Sequence, residues 1–192
     1  ADPNGWWGAD WNHESEHTQA MVDRILDYWL QEFRFDGFRF DFTKGIGQTA
    51  PDINDPWASS PDQDRVDLLL RMANGMKTRN PGSVVIFEHL AWASEDKQLS
   101  DTGILMWSGV GHHNDLKNFI LGYNADNPNI YDSGVYNAPG RNFTYANWMS
   151  YGESHDEERL GYEVTQYFNG TKTLENIINR LKIGAGFNLL LP

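Results

Sequence analysis

The chain has 192 residues, enough for one domain with a sizeable core, and its 40% hydrophobic and 14% aromatic content excludes intrinsic disorder. The formal net charge of −12 argues against nucleic acid and anionic membranes as partners. Because Cys is absent, neither a disulfide framework nor thiolate chemistry is available, and no apolar run is long enough to span a bilayer.

Hydrophobic periodicity and helix-start signals predict the elements of the first half of the chain. Apolar residues at helical spacing indicate a helix over residues 15–33, and a period-two pattern indicates a strand over residues 35–42. Ser60 as an N-cap and Pro61 at the first helical position predict a second helix over residues 60–79.

The elements that follow continue the alternation of strand and helix. The apolar run at residues 84–87 is typical of a strand buried on both faces. The remaining predicted elements are a helix at 94–99, a strand at 104–107, a helix at 114–121, a long loop at 124–143, a strand at 145–151, a helix at 174–183 and a strand starting near Phe187. This order favours the α/β class, with a parallel sheet and helical crossovers.

Three carboxylates lie where predicted strands end. Asp41 and Glu88 close two of the strands, and Asp156 follows a third. In a barrel of alternating strands and helices, the C-terminal ends of the strands carry the active site. One strand–helix unit plus a long loop separates Asp41 from Glu88, and two units separate Glu88 from Asp156, so we expect the three acids to converge on one end of such a barrel.

Strand alternation distinguishes the chemical roles of the first two acids. Arg39 and Asp41 point to one face of their strand, opposite the neighbouring Phe side chains. A cation beside a carboxylate favours the ionised form, which suits a nucleophile. Glu88 ends an apolar run, and an anionic Asp41 nearby would further disfavour its ionisation, which suits a general acid. From spacing alone, a plain ion pair and a loop carboxylate remain open alternatives.

Three segments carry a resemblance to the alpha-amylase family. Residues 35–44 read FDGFRFDFTK and resemble the strand with that family's nucleophile. Residues 85–88 read VIFE and resemble the acid/base strand, and residues 154–156 read SHD and resemble the segment with the transition-state-stabilising Asp. The resemblance implies a partial (β/α)8 TIM barrel, with residues 1–192 covering about strands 4 to 8 and their helices.

The resemblance also assigns roles to individual residues. It implies that Asp41 forms a covalent glycosyl intermediate, that Glu88 acts first as acid and then as base, and that Asp156 stabilises the oxocarbenium-like state. Arg39 would orient the nucleophile. His155 would contact sugar hydroxyls beside the cleaved bond, and Lys44 would line a leaving-group subsite.

Two positions depart from the family pattern. Gly45 stands where calcium-binding amylases often have a His whose carbonyl binds the ion, which argues against calcium, and no cofactor is expected. Ser154 stands where many members have Asn, so a substrate contact of that side chain is not carried over.

The function implied is that of a retaining glycoside hydrolase or transglycosidase acting on alpha-1,4-glucans such as starch. Residues 154–159 are most similar to the bacterial group of alpha-amylases and alpha-glucan branching enzymes, and the sequence leaves hydrolysis and branching both open. The expected partner is an alpha-glucan oligosaccharide or polysaccharide. Since the chain lacks an initiator Met and stops inside an apolar run, we expect it to be an excerpt of a longer protein. On its own it should be inactive and self-associate through exposed strand edges.

The sequence is also compatible with two other functions. One is a carbohydrate-binding or structural half-barrel without catalysis. The other is a zinc metalloprotease, because residues 13–17 read HESEH and match the pattern of two His and a Glu on one helix. Ser15 looks like a helix cap, which would place His13 before the helix and argues against zinc. His112 and His113 beside Asp115 lack a third ligand at useful spacing, so no metal site is expected.

Overall fold

The computed structural model describes residues 11–48, 53–123 and 129–191, and the chain divides into two compact units, Ala1–Trp107 and Ser108–Pro192. The first unit contains α1 (Glu16–Gln31), β1 (Gly37–Phe40), α2 (Gln63–Arg79), β2 (Val84–Phe87), α3 (Ala93–Ser100) and β3 (Leu105–Trp107). The second contains α4 (Val110–Leu121), α5 (Ile130–Gly134), β4 (Trp148–Met149), α6 (Leu160–Tyr167) and α7 (Leu174–Leu190). No helix within the described ranges is long and apolar enough to cross a membrane.

The first unit is built on three parallel strands in the order β1, β2, β3. Phe40 pairs in register with Phe87, and Phe87 pairs with Met106, so the C-terminal ends of the strands lie side by side. The α/β class and the parallel pairing are therefore confirmed, and the arrangement is consistent with a partial α/β barrel. Val84 is 44% exposed, so β2 is not buried on both faces along its whole length.

Helix α2 supplies much of the core of this unit. Its buried side chains recur at helical spacing and form one apolar stripe, made of Val66, Leu69, Met72, Ala73 and Met76. Apart from Ala73, each of these side chains contributes roughly 1.5–3 kcal/mol when fully buried. The stripe therefore holds the helix against its own unit and fixes the segments at both of its ends.

The start of α2 differs from the prediction at the cap. Asp62, not Ser60, is the N-cap, and its carboxylate accepts a hydrogen bond from the Arg65 N–H at 3.2 Å. The N–H of Ser60 instead donates to Asp55 Oδ2 at 2.7 Å, which holds Ser60 in the preceding loop. The predicted start of α1 is correct, since Ser15 precedes Glu16 as its N-cap.

The second unit departs further from the sequence pattern. Helix α4 begins four residues earlier than predicted, α5 interrupts the predicted loop at 124–143, and α6 was not anticipated. Residues 124–128 of that loop lie outside the described part of the chain. Strand β4 spans only two residues of the predicted 145–151.

The predicted last strand near Phe187 is wrong, because α7 continues through that position to Leu190. Apolar residues every three or four positions, including Ile177 and Leu181, pack on the core formed by α4 and α6. The Phe187 ring continues this face and lies edge-on to Phe119, with the centroids 5.1 Å apart. Helical spacing therefore extends past the point where the short apolar run suggested a strand.

Candidate active site

Arg39 lies between two carboxylates at the C-terminal ends of β1 and β2. Its Nη1 atom forms a hydrogen-bonded ion pair with Asp41 Oδ1, and its Nη2 atom lies 3.1 Å from Glu88 Oε2. On the other face of β1, the Phe38 and Phe40 rings lie 6.0 Å apart. The alternation expected from the sequence, with charged side chains on one face and aromatic rings on the other, is therefore confirmed.

Glu88 is held by the backbone of the neighbouring strand end. Its N–H donates to the Phe40 carbonyl at 3.0 Å, and its Oε2 atom accepts a hydrogen bond from the Phe42 N–H at 3.1 Å. The side chain is only 10% exposed, whereas that of Asp41 is 74% exposed. The two carboxylates thus share a cation but have very different access to water.

These surroundings give Glu88 a higher pKa than an ordinary surface carboxylate has. Burial raises the pKa of Glu88 above its usual value, and Asp41 raises it further through its charge and through a hydrogen bond between the two carboxyl groups. The Phe42 N–H and the charge of Arg39 act in the opposite direction without cancelling the effect. The direction agrees with the expectation from the sequence and suits a proton donor.

Two residues beside the acids adopt the left-handed conformation, which is unfavourable for side chains other than Gly. Phe42, directly after Asp41, has a φ of 45°, and Leu90, two residues after Glu88, has a φ of 58°. Such backbone strain persists only where the surroundings enforce it, and it concentrates at functional sites. Both strained residues lie at the ends of adjacent parallel strands.

Lys44 is buried under the same strand ends. Its Nζ atom donates to Ser59 Oγ at 2.9 Å and to the Leu90 carbonyl at 3.3 Å, and it lies 5.2 Å from the centre of the Phe42 ring. Burial lowers its pKa, against the opposing charge of Asp55. These contacts join the loop after β1 to the loop after β2, and the predicted role of Lys44 in a leaving-group subsite stays a prediction.

A buried polar network below the acids was not anticipated from the sequence. The Arg65 guanidinium binds both carboxylate oxygens of Glu95, at 2.7 and 2.8 Å, and His89 Nε2 lies 2.7 Å from Glu95 Oε1. His89 Nδ1 lies 2.9 Å from Thr43 Oγ1. One signal could have indicated it, since Arg65 stands four residues before Leu69, on the stripe of α2 that helical spacing buries.

The network fixes the charge states of its members. Although burial by itself raises it, the hydrogen bonds from His89, Arg65 and the Asp62 N–H lower the pKa of Glu95 to about 2. Burial lowers the pKa of His89, against the attraction of Glu95. At neutral pH, Glu95 is therefore an anion and His89 is a neutral imidazole.

The second unit carries the other two predicted site residues. His155 Nε2 lies 3.4 Å from Asp156 Oδ2, and both side chains are exposed. The Asp156 N–H donates to Ser154 Oγ at 3.1 Å. The Ser154 N–H donates to Glu157 Oε2 at 2.9 Å and the Ser154 hydroxyl donates to the same atom, so hydrogen bonds within residues 154–157 hold this segment.

The carboxylate of Glu157 was not among the residues predicted for this segment. Partial burial by itself raises its pKa, but the two hydrogen bonds from Ser154 hold the pKa of Glu157 below its usual value. The structure thus joins Arg39, Asp41 and Glu88 in the first unit, and His155 with Asp156 in the second.

The His-rich segments do not form a metal centre in the described part of the chain. Helix α1 begins at Glu16, so His13 lies before the helix, as the sequence argument against a zinc protease required. His113 Nδ1 lies 2.7 Å from the Gly152 carbonyl oxygen, and His112 is fully buried. Within residues 11–48, 53–123 and 129–191, no group of three or more His, Asp or Glu side chains is placed to hold a metal ion.

Comparison with known proteins identifies a fold relationship. No family model and no curated protein sequence matches the chain. Among solved structures, the chain is similar to type I pullulanase from Bacillus subtilis strain 168 complexed with maltose, with a TM-score of 0.69 and 18% sequence identity. The similarity covers 97% of this chain and 26% of that chain, so this chain spans about a quarter of the pullulanase's length. At this identity, the likeness is one of fold.

Proposed function

We propose that this chain is the second half, about strands 4 to 8, of a (β/α)8 barrel in a retaining glycoside hydrolase or transglycosidase of the alpha-amylase type. The observation that carries the proposal is the placement of Arg39 between an exposed Asp41 and a buried Glu88 at the ends of adjacent parallel strands. The fold likeness to a pullulanase that was solved with maltose, and the resemblance of residues 35–44, support the same assignment.

The two carboxyl groups suit the two roles that a double displacement requires, a nucleophile and an acid/base group. Asp41, exposed and paired with Arg39, attacks the anomeric carbon and forms a glycosyl ester. Glu88, whose pKa is raised by burial and by Asp41, donates its proton to the departing glycosidic oxygen. In the second step Glu88 accepts a proton from water or from a sugar hydroxyl. The oxygen of that group attacks the anomeric carbon, and the bond between this carbon and the Asp41 carboxylate breaks.

The substrate-binding groups follow from the same assignment. Arg39, which is paired with both Asp41 and Glu88, would orient the nucleophile and is not itself proposed to bind the sugar. His155 and Asp156, both exposed, would bind sugar hydroxyls, with Asp156 stabilising the positive charge that develops on the sugar ring. The substrate proposed is an alpha-1,4-glucan.

A second candidate is carbohydrate binding without catalysis. Trp57 and Trp92 expose 52% and 59% of their surface in loops at the C-terminal ends of β1 and β2, where indole rings can stack on sugars. The main-chain hydrogen bond from Trp92 to the Ser59 carbonyl, 3.1 Å long, brings these two loops together. This candidate predicts binding of maltooligosaccharides that is unaffected by Asp41→Asn.

Covalent trapping separates the two candidates. The full natural protein carrying these residues would be treated with an activated 5-fluoro-glucosyl fluoride and digested, and the labelled peptide identified by mass spectrometry. We expect an ester on Asp41, no label in Asp41→Ala, and rescue of Glu88→Ala turnover by azide with retained anomeric configuration. A label on another carboxylate, or full turnover by Asp41→Ala, would overturn the catalytic proposal.

Matched controls make the trapping result specific. Asp36→Asn alters an exposed acid at the other end of β1 and should leave labelling and turnover unchanged. The 192-residue chain alone is expected to show no turnover of maltooligosaccharides, and turnover abolished by Asp41→Ala would disprove that expectation. With soluble starch, new branch points in the products would identify a transferase, and short reducing oligosaccharides would identify a hydrolase.

A further inference from the structure

Four buried polar side chains form a continuous line beneath Glu88. Arg65 binds Glu95, Glu95 lies 2.7 Å from His89 Nε2, and His89 Nδ1 lies 2.9 Å from Thr43 Oγ1. Thr43 and His89 are both 0% exposed. The line resembles a nucleophile, base and acid in its order, but no substrate reaches a hydroxyl without accessible surface. Thr43 is therefore not a nucleophile, and the line needs another explanation.

The charge of Glu95 fixes the direction of every hydrogen bond in the line. An ionised carboxylate can only accept, so the Nε2 atom of neutral His89 carries the proton and donates to Glu95. The Nδ1 atom then has only a lone pair, and the Thr43 hydroxyl donates to it. This hydroxyl has only one proton, so it does not also donate to the Glu88 carbonyl oxygen, which lies 3.2 Å from Thr43 Oγ1. That carbonyl oxygen accepts a hydrogen bond from the Thr43 N–H at 2.7 Å instead.

Thr43 is thereby fixed by both its side chain and its backbone, next to the strained Phe42. The N–H of Phe42 is the group that reaches Glu88 Oε2, and its direction depends on the left-handed φ of 45°. A Phe stays in this conformation only where its surroundings constrain it. The hydrogen bonds of Thr43 to Glu88 and His89 supply that constraint.

Stability alone is a weak reason for such a network. A buried ion pair is often no more stabilising than apolar side chains of the same volume, because both charges lose their hydration. Arg65 also donates to the carbonyls of Lys44, Ala58 and Ser60, at 2.9 to 3.0 Å. These contacts place the loops after β1 rather than adding apolar burial.

We propose that Thr43, His89 and Glu95 are positioning residues that hold the Phe42 N–H on the Glu88 carboxyl group and so set the orientation of that group. The catalytic consequence of this arrangement rests on the proposed function of Glu88 as the proton donor. The positioning itself depends only on the geometry within the first unit, which allows the two claims to be tested separately.

The positioning is tested on the 192-residue chain without any turnover. Thr43→Val keeps the shape of the side chain but removes the hydroxyl, and Thr43→Ser restores it. Titration of the Glu88 side-chain carboxyl by ¹³C NMR should show a higher pKa in Thr43→Val, because a hydrogen bond to the anion is lost, and an unchanged value in Thr43→Ser. Hydrogen exchange of the Phe42 amide should accelerate by about tenfold or more in Thr43→Val.

Controls exclude a general loosening of the fold. Val66→Ala removes buried apolar atoms from α2 without touching the hydrogen bonds of Thr43, and it should leave the Glu88 titration unchanged. Should Thr43→Val not fold, Thr43→Ala removes the same hydroxyl with a smaller side chain. In wild type, ¹⁵N NMR should find His89 neutral with the proton on Nε2. An unchanged Glu88 titration in the folded hydroxyl-free variant, or an equal change in Val66→Ala, would overturn the positioning role.

Activity of the full natural protein then tests the link to catalysis. Misplacing a reacting group can cost up to about a hundredfold in rate, so Thr43→Val should lower kcat by roughly tenfold to a hundredfold with little change in KM, and Thr43→Ser should recover it. If the Glu88 titration moves but kcat does not, Glu88 is not the proton donor. The proposed function then fails while the positioning stands.

Discussion

The Phe42 N–H donates a hydrogen bond to Glu88 Oε2 at 3.1 Å, joining residues 46 positions apart in the chain through a strained backbone. The contact favours the ionised form of Glu88, yet burial and Asp41 outweigh it and leave the pKa raised. The carboxyl group is thus oriented by a hydrogen bond while its proton is retained by its surroundings.

The raised pKa of Glu88 predicts a pH-dependent stability difference from Glu88→Gln. The unfolded-state value is near 4.5, and the folded-state value lies above it, so the contribution of Glu88 to stability is complete below the unfolded value and is lost as pH rises through the folded one. Gln is neutral throughout and still accepts from the Phe42 N–H. Urea unfolding should therefore show that the variant gains stability relative to wild type as pH rises from about 4 to 8. A constant difference would contradict the raised pKa.

Removing Arg39 should affect Glu88 more than it affects the whole fold. In Arg39→Ala the two carboxylates lose their shared cation, so the pKa of Glu88 should rise further, as seen by ¹³C NMR. The loss in unfolding free energy at pH 7 should be only about 1–2 kcal/mol, because Asp41 is largely exposed and solvent screens its pairing. Arg39→Lys should restore part of the charge effect but not the two-pronged geometry. A fall in the Glu88 pKa in Arg39→Ala is the contrary result.

The buried pair of Arg65 and Glu95 should dominate acid sensitivity. The folded-state pKa of Glu95 is about 2, below its unfolded value near 4.5, so its stabilisation is present above 4.5 and is lost as pH falls towards 2. Glu95→Gln should lower the unfolding free energy at pH 7 by about 3–5 kcal/mol and flatten its dependence on pH in this window. Asp101→Asn, at the exposed ion pair with Lys97, should cost less than about 1 kcal/mol. Equal losses of unfolding free energy in the two variants would contradict the larger contribution expected of the buried pair.

Two glycines of α7 should respond oppositely to the same substitution. A Cβ atom at Gly186 meets nothing within 4 Å, so Gly186→Ala should add about 0.5–1 kcal/mol of stability through helix propensity. A Cβ atom at Gly184 would lie 2.8 Å from Ile120 Cγ2. Gly184→Ala should therefore lower the stability despite the better helix propensity of Ala, because Ile120 has to shift to make room. Thermal unfolding of the two variants measures both effects. If both variants stabilised the chain equally, α7 would not pack closely on Ile120.

Local patterns determined the elements of the first unit well. Helical spacing and caps located α1 and most of α2, and the apolar run at Val84–Phe87 matched β2 without error. The pattern failed towards the C-terminus, where the apolar run near Phe187 is helical. A run of four or five apolar residues fits both the helical and the strand periodicity. Only packing against Phe119 and the neighbouring core decides that this segment is a helix.

The acids at Asp41 and Glu88, and the alternation that pairs Arg39 with Asp41, follow from the sequence by itself, because a strand repeats every two residues. What only the tertiary structure decided is the environment of those acids. The parallel register of β1 and β2 brings Arg39 to Glu88, and the fold buries one carboxylate while leaving the other in water. The line from Arg65 to Thr43 likewise depends on residues from distant parts of the sequence that meet in the buried interior. There, each side chain's partners determine its charge state and the direction of its hydrogen bonds.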